Sequence, residues 1–278
     1  MKIATSFVFA VLLIATSAEA AAAVTGERTW AESWAVQTES PSIRIDNIWG
    51  NVIVRTGVAG QVSVSAVELR SAPDQERFDR SFVVLKPDIN ADADGVSIVV
   101  GNRDERSHQP QDCDGCRLDI QFEITVPPAS IIDVSTVMDG HVAVEGVTGS
   151  VTAANVNGSV RVENIEHCDS IKNVNGKIDV SFSRSPAQAC KIGTVNGDIT
   201  LGLPPGAGLD LALDLFNGEA VSELPAGPMN LPATVEHRIE NGRNRYHIEK
   251  LSGLRIGDGG PTYSISSING DVRIKKYW

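Results

Sequence analysis

Among the 278 residues, side chains able to do chemistry are scattered rather than clustered. Six carboxylates, Asp133, Asp139, Glu145, Asp179, Asp198 and Asp271, sit in short alternating runs and could align on one face of a stack of strands. Two carboxylates about 5–10 Å apart could perform acid–base work on a glycosidic bond. Outward polar positions of any acidic β protein give the same rows without chemistry. The segment DINADADG places Asn90, Asp92, Asp94 and Gly95 like positions 1, 3, 5 and 6 of a calcium loop, but Gly101 stands where a bidentate Glu would close it. An acidic turn ahead of a strand is the simpler expectation. GDGGP, from Gly257 to Pro261, has the glycines of a serine-nucleophile loop and no serine. His108, His141, His167, His237 and His247 show no ligand spacing. No catalytic residue, metal site or cofactor is expected, and no ligand-binding residue is assigned.

Cysteine and the N-terminus indicate a compartment. Residues 1–20, MKIATSFVFAVLLIATSAEA, combine one cation, an apolar stretch and an Ala18-Glu19-Ala20 cleavage pattern. That is the make-up of a secretory signal, so the mature chain is expected to run over 21–278 as one domain. The apolar stretch is shorter than the roughly 20 residues that span a bilayer, and no later transmembrane segment is expected. In an exported chain four cysteines favour disulfides, and the expected pairs are Cys113–Cys116 and Cys168–Cys190. A four-Cys zinc site is the weaker alternative, because the second pair lacks ligand spacing. A redox role for the lone C-x-x-C would want a thioredoxin-like βαβ setting, which the sequence lacks.

Elements able to position these residues repeat along the chain. VNGSVRV (156–162), VNGKIDV (174–180), VNGDITL (195–201) and INGDVRI (268–274) share a turn and an alternating run. MDGHVAV (138–144), FNGEAVS (216–222) and IWGNVIV (48–54) are weaker copies. The turn glycines are Gly140, Gly158, Gly176, Gly197, Gly218 and Gly270, the first five spaced by 18 to 21 residues. Asn-Gly lets the chain turn where φ > 0 costs little, and Val160, Val162, Ile178 and Val180 then share one face. Asn-Gly could close two-residue hairpins in a meander. Equal spacing and only 5% aromatic residues favour the other architecture, a β-solenoid of stacked rungs in sequence order. In register, Cys168 and Cys190 would lie about 4.8 Å apart, within disulfide reach.

Residues 71–118 interrupt the pattern. SAPDQERFDRSFVVLKP suggests one short helical turn, GVSIVV (95–100) a strand, and the residues before Cys116 a long polar loop. Residues 223–250 read as irregular until YHIEKL. Trp30, Trp34 and Trp49 could stack on sugar rings; covering the open end of the stack is the favoured expectation.

The run LDIQFEITVPPASIIDVSTVMDGHVAVEGVTGSVTAANVNGSVRVENI, with VNGKIDV, VNGDITLGLPPGAG and SSINGDVRIKK, resembles the DUF4097 family of bacterial adhesin-like proteins. The resemblance covers roughly residues 40 to 278. It implies an exported, repeat-built β fold and supplies no catalytic residues to carry over; the 71–118 insertion and its cysteines depart from it.

A net charge of −11 with no basic stripe excludes double-stranded nucleic acid as a natural partner. The function expected is that of an exported, non-catalytic, adhesin-like interaction protein, periplasmic or on the cell surface. Its partner would be an envelope protein, a glycan or a surface. The alternative is a carbohydrate-active enzyme, a lyase or hydrolase, on the same scaffold. An enzyme would need a cleft with converging carboxylates, whereas an adhesive scaffold can be flat.

Overall fold

The computed structural model describes residues 23–101, 113–231 and 252–277, and the strand backbones of 234–240 and 243–249. The expected signal segment and His108 lie outside the described residues. The chain is nearly all β. Its first part comprises β1 (Val24–Ala35), β2 (Ser42–Asp46), β3 (Val52–Thr56), β4 (Gln61–Ala72), helix α1 (Gln75–Val84), β5 (Pro87–Ala91), β6 (Gly95–Val100) and β7 (Arg117–Val126). The repeats follow as β8 (Ile131–Thr136), β9 (Val142–Glu145), β10 (Ser150–Asn155), β11 (Val160–Ile165), β12 (His167–Lys172), β13 (Ile178–Phe182), β14 (Cys190–Asn196) and β15 (Ile199–Leu203). The last part holds β16 (Leu209–Asn217), β17 (Ala220–Ser222), β18 (Ala226–Met229), β19 (Thr234–Glu240), β20 (Arg243–Glu249), β21 (Ser252–Ile256), β22 (Thr262–Asn269) and β23 (Val272–Lys276).

Two large open sheets result. One has the order β1-β4-β7-β3-β9-β11-β13-β15-β23-β17, and the other β18-β21-β16-β22-β14-β12-β10-β8-β2-β6-β5. From β8 to β15 the chain alternates between them, and each strand pairs in parallel with its counterpart in the next repeat. The Asn-Gly turns therefore do not close hairpins. Each carries the chain from one sheet to the other.

Alternation explains the core. Val142, Val160, Ile178, Ile199 and Val272 stand in register and are all buried, as are Val144, Val162, Val180, Leu201 and Ile274 beside them. Facing them, Val134, Ala153, Ile171, Ile192 and Ile265 form a buried row on the second sheet. Aliphatic side chains fill a slot between two sheets, which is why so few aromatics suffice. Cys168 and Cys190 belong to this interior and are bonded to each other, Cα atoms 5.4 Å apart. A one-residue bulge at Asp169 absorbs the unequal distance of the two cysteines from their glycines. Tyr263 lies beside Cys190 in register, packs edge-on to Phe182, and burial pushes its hydroxyl pKa well above the ordinary value.

Three expectations need correction. Rungs do not follow sequence order: β22 and β23 insert between the rung of β14 and β15 and that of β16 and β17. The spatial succession of turn glycines is thus Gly140, Gly158, Gly176, Gly197, Gly270, Gly218. In the 71–118 insertion the single helical turn is a ten-residue helix, capped by the Asp74 carboxylate accepting the Arg77 N–H at 2.8 Å. Residues 223–250 are not irregular either, since β18 pairs with β21 and β19 pairs antiparallel with β20.

Candidate interaction surfaces

The repeated turns present their side chains along one edge of the stack. In Gly158, Gly176 and Gly197 φ is +140°, +141° and +146°, whereas the preceding asparagines keep ordinary negative φ. Close approach matters as much: a Cβ on Gly176 would lie 2.1 Å from the Gly158 carbonyl oxygen, and one on Gly197 equally near that of Gly176. Gly140 and Gly218 have no positive φ, yet a Cβ there would collide with the carbonyl oxygens of Gly50 and Gly270. The glycines form a ladder in which each backbone leans on the next.

On the solvent side, the asparagine before each glycine builds a second ladder. Asn175 Nδ2 donates to Asn157 Oδ1 at 3.0 Å, Asn196 to Asn175 at 2.8 Å, Asn269 to Asn196 at 2.8 Å and Asn217 to Asn269 at 2.9 Å. Each amide in the middle of the row uses one N–H and one lone pair inside it, which leaves a second of each for a ligand. Next to this row the residue two before each turn glycine is apolar and turned outward: Met138, Val174, Ile268 and Phe216 are exposed, with Val156 and Val195 half-buried between them. Polar and apolar rows thus run side by side along the same edge.

A third row lies beneath, inside the corner. Asn155 Nδ2 donates to the Gly140 carbonyl and Asn173 Nδ2 to the Gly158 carbonyl, each at 2.8 Å. At the corresponding positions Thr194 and Ser267 are buried and their hydroxyls have no partner. A hydroxyl is too short to span the gap that the amide spans.

Of the six carboxylates only Asp198 and Asp271 come together, and they do so around the guanidinium of Arg273. Asp133 lies on β8 of the second sheet, and Asp139, with φ +50°, holds Arg117 at 3.2 Å in a turn. Glu145 faces Arg55 at 3.6 Å, and Asp179 stands in register between Arg161 and Thr200. Asp198 and Asp271 both bind Arg273, at 2.6 and 2.9 Å. They also accept the N–H groups of Asp271 and Glu219 in the next rungs. The Arg273 guanidinium, helped by the Asp271 N–H, holds the Asp198 carboxyl below the usual carboxylate range. His141 works in the same position of its rung, where Nδ1 accepts the Ser159 N–H at 3.0 Å. The residue after each glycine tends to tie rungs together.

Other candidates resolve into turns. DINADADG is the hairpin between β5 and β6, with the Asp92 carboxylate accepting the N–H groups of Asp94 and Gly95. GDGGP is a turn in which Gly257 and Gly259 have positive φ. His167 has a buried Nδ1 without a partner. Among the described residues, no group of three or more His, Cys, Asp or Glu comes together in a way that could hold a metal ion. No helix there is long and apolar enough to cross a membrane.

The insertion builds the concave part of the molecule. Cys113, bonded to Cys116, forms a small apolar cluster with Ala72 against Phe78 of α1. Beneath α1 lies a buried ion pair: Arg70 Nη2 meets Glu68 at 2.7 Å, and Arg70 Nη1 donates to the Ser81 carbonyl at 2.7 Å. Trp30 Nε1 donates to the other Glu68 oxygen at 2.7 Å, and the Arg70 guanidinium lies over the Phe82 ring. A hollow of about 200 Å³ opens here between Arg28, Trp30, Phe82 and Lys86. A shallower cleft of about 420 Å³ on the outer side is lined by Glu27, Leu69 and Arg117 among others. Trp30 and Trp34 pack against the core, Trp30 edge-on to Phe122, while Trp49 lies under Arg117. Sequence reasoning missed Glu68 and Arg70, whose alternation in β4 with Val62, Val64 and Ala66 was the available sign that they face inward.

No protein-family model matches the chain, and no curated protein matches it. Solved structures match the chain, two of them as follows. One is a putative cell adhesion protein from Clostridium sporogenes, at 11% identity and TM-score 0.46 over 90% of this chain and 100% of that one. The other is from Bacteroides fragilis, at 10% identity and TM-score 0.39 over 89% of this chain and 97% of that one. It is described as a putative adhesin. The likeness to the DUF4097 repeats rests on the sequence motifs.

Proposed function

We propose that this is an exported, non-catalytic, adhesin-like interaction protein of the bacterial envelope, built as a β-solenoid of the DUF4097 type. The paired ladder of asparagine amides and outward apolar side chains carries the reading. Five amides spaced about 4.8 Å apart, flanked by Val174, Ile268 and Phe216, suit an extended ligand that repeats hydrogen-bonding groups over an apolar spine. In-register parallel pairing from β8 to β15 supports the solenoid, and the two disulfides support export.

The test is a glycan and envelope-protein binding screen beside polysaccharide-cleavage assays with and without calcium. Binding without turnover is expected. Reproducible cleavage abolished by Asp179→Asn or Asp198→Asn would replace this reading with the carbohydrate-active enzyme.

A further inference from the structure

Strand edges separate this molecule into one long side and three short ones. Exposed edges invite pairing with another chain, and natural sheets blunt them by shortness, proline, lysine or bulges. At three of the four edges of the two large sheets such devices are present. β17 has three residues, β18 has four and contains Pro228, and β5 has five and starts at Pro87. β1 has twelve residues, pairs with β4 without a register shift, and contains neither proline nor lysine. Its sheet also extends three strands beyond β3, while the other extends two beyond β2, and among the described residues no further strand pairs with β1 on its outer side.

The sequence of β1 fits itself. Laid antiparallel against a second β1 with the two-fold axis at Trp30, Arg28 falls opposite the partner's Glu32, and Glu32 opposite the partner's Arg28. Trp30 meets the partner's Trp30 in the centre, and Gly26, whose side-chain position is covered by the Phe78 ring of α1, places that ring beside the partner's Trp34. Arg28 and Glu32 are both exposed and form no ion pair among the described residues. Trp30 is only half-buried and borders the hollow of about 200 Å³. We infer that β1 is a homodimerisation strand, joining two copies through an antiparallel Trp30-centred pairing into one continuous sheet. Charge pairs and an aromatic pair across neighbouring strands are the contacts that specify register in antiparallel sheets. This inference is independent of the ligand proposed above.

Sedimentation equilibrium of residues 21–278, which contain every described residue, reads it directly. At about 0.15 M salt, where the Debye length is about 8 Å and the repulsion between two acidic copies is screened, a dimer is expected. Arg28→Glu and Glu32→Arg should each weaken it at least about tenfold, because each puts two like-charged pairs across the seam. The double variant should restore it. Circular dichroism and the unfolding midpoint of each variant check that the fold is kept, as expected for exposed positions. A monomer at about 0.1 mM overturns the inference, and so does a dimer indifferent to both single reversals, given the scale of such pair energies.

Discussion

A threonine at position 194 stands where asparagine does structural work in the two preceding rungs. Asn173 reaches the Gly158 carbonyl, while the buried Thr194 hydroxyl reaches nothing. Thr194→Asn should therefore raise stability by about 1 kcal/mol, measured by urea denaturation, as the worth of one buried hydrogen bond. At Gly176 both the positive φ and the Gly158 oxygen oppose any side chain. Gly176→Val should cost more than about 2 kcal/mol in strain and displaced backbone. Lys177→Ala, at an exposed neighbour, should stay within about 0.5 kcal/mol. Equal losses would mean that the glycine ladder bears no strain. Acid titration reports on Asp198, whose pKa is lowered by Arg273 and the Asp271 N–H. A lowered carboxylate stabilises the fold fully above its ordinary value of 3.8 and loses that contribution as pH falls through the folded value. Unfolding stability should thus decline below about pH 4, and Asp198→Asn should flatten part of that decline.

At the scale of elements, the repeated strands were legible, as were the strand Gly95–Val100 and the Cys113–Cys116 bond of the insertion, whereas the extent of its helix was not. Alternation around Val160, Ile178 and Ile199 and the glycine after each asparagine were visible as local patterns, because every repeat carries its own turn and face. Helix α1 was underread because its anchor is distant in sequence: the Ser81 carbonyl meets Arg70 on β4, and Glu68 in turn holds Trp30 on β1. The insertion of β22 and β23 was equally hidden. INGDVRI is as good a copy as VNGDITL, and nothing local says which neighbour it takes. Burial makes the Glu68–Arg70 pair a sensitive point. Arg70→Ala should destabilise by about 3–5 kcal/mol, since Glu68 would stay buried without the cation that pairs with it. Replacing both, as Glu68→Gln with Arg70→Met, should cost less than the single change. Thermal and chemical unfolding of the three variants would check this, and a costlier double change would assign the effect to packing against Phe82 instead.

For the whole molecule, one architecture serves two ends. Hydrophobic rows between the sheets stack along the full length, so a single core extends from Val36 to Ile274. The same periodicity that builds the core places amides and apolar side chains on the turn edge, including contributions from segments as far apart in sequence as Asn157 and Asn269. Sequence alone could count these copies but could not order them, and so could not show the edge as continuous. Affinity for the envelope ligand found in the screen, measured for Val174→Asp and Ile268→Asp against Lys191→Ala on the outer face of the second sheet, tests the central claim most directly. Both edge changes should weaken binding at least about tenfold, the loss expected when a charge enters an apolar contact, while Lys191→Ala leaves it unchanged. Unaltered affinity in both edge variants would contradict the assignment of function to the asparagine edge.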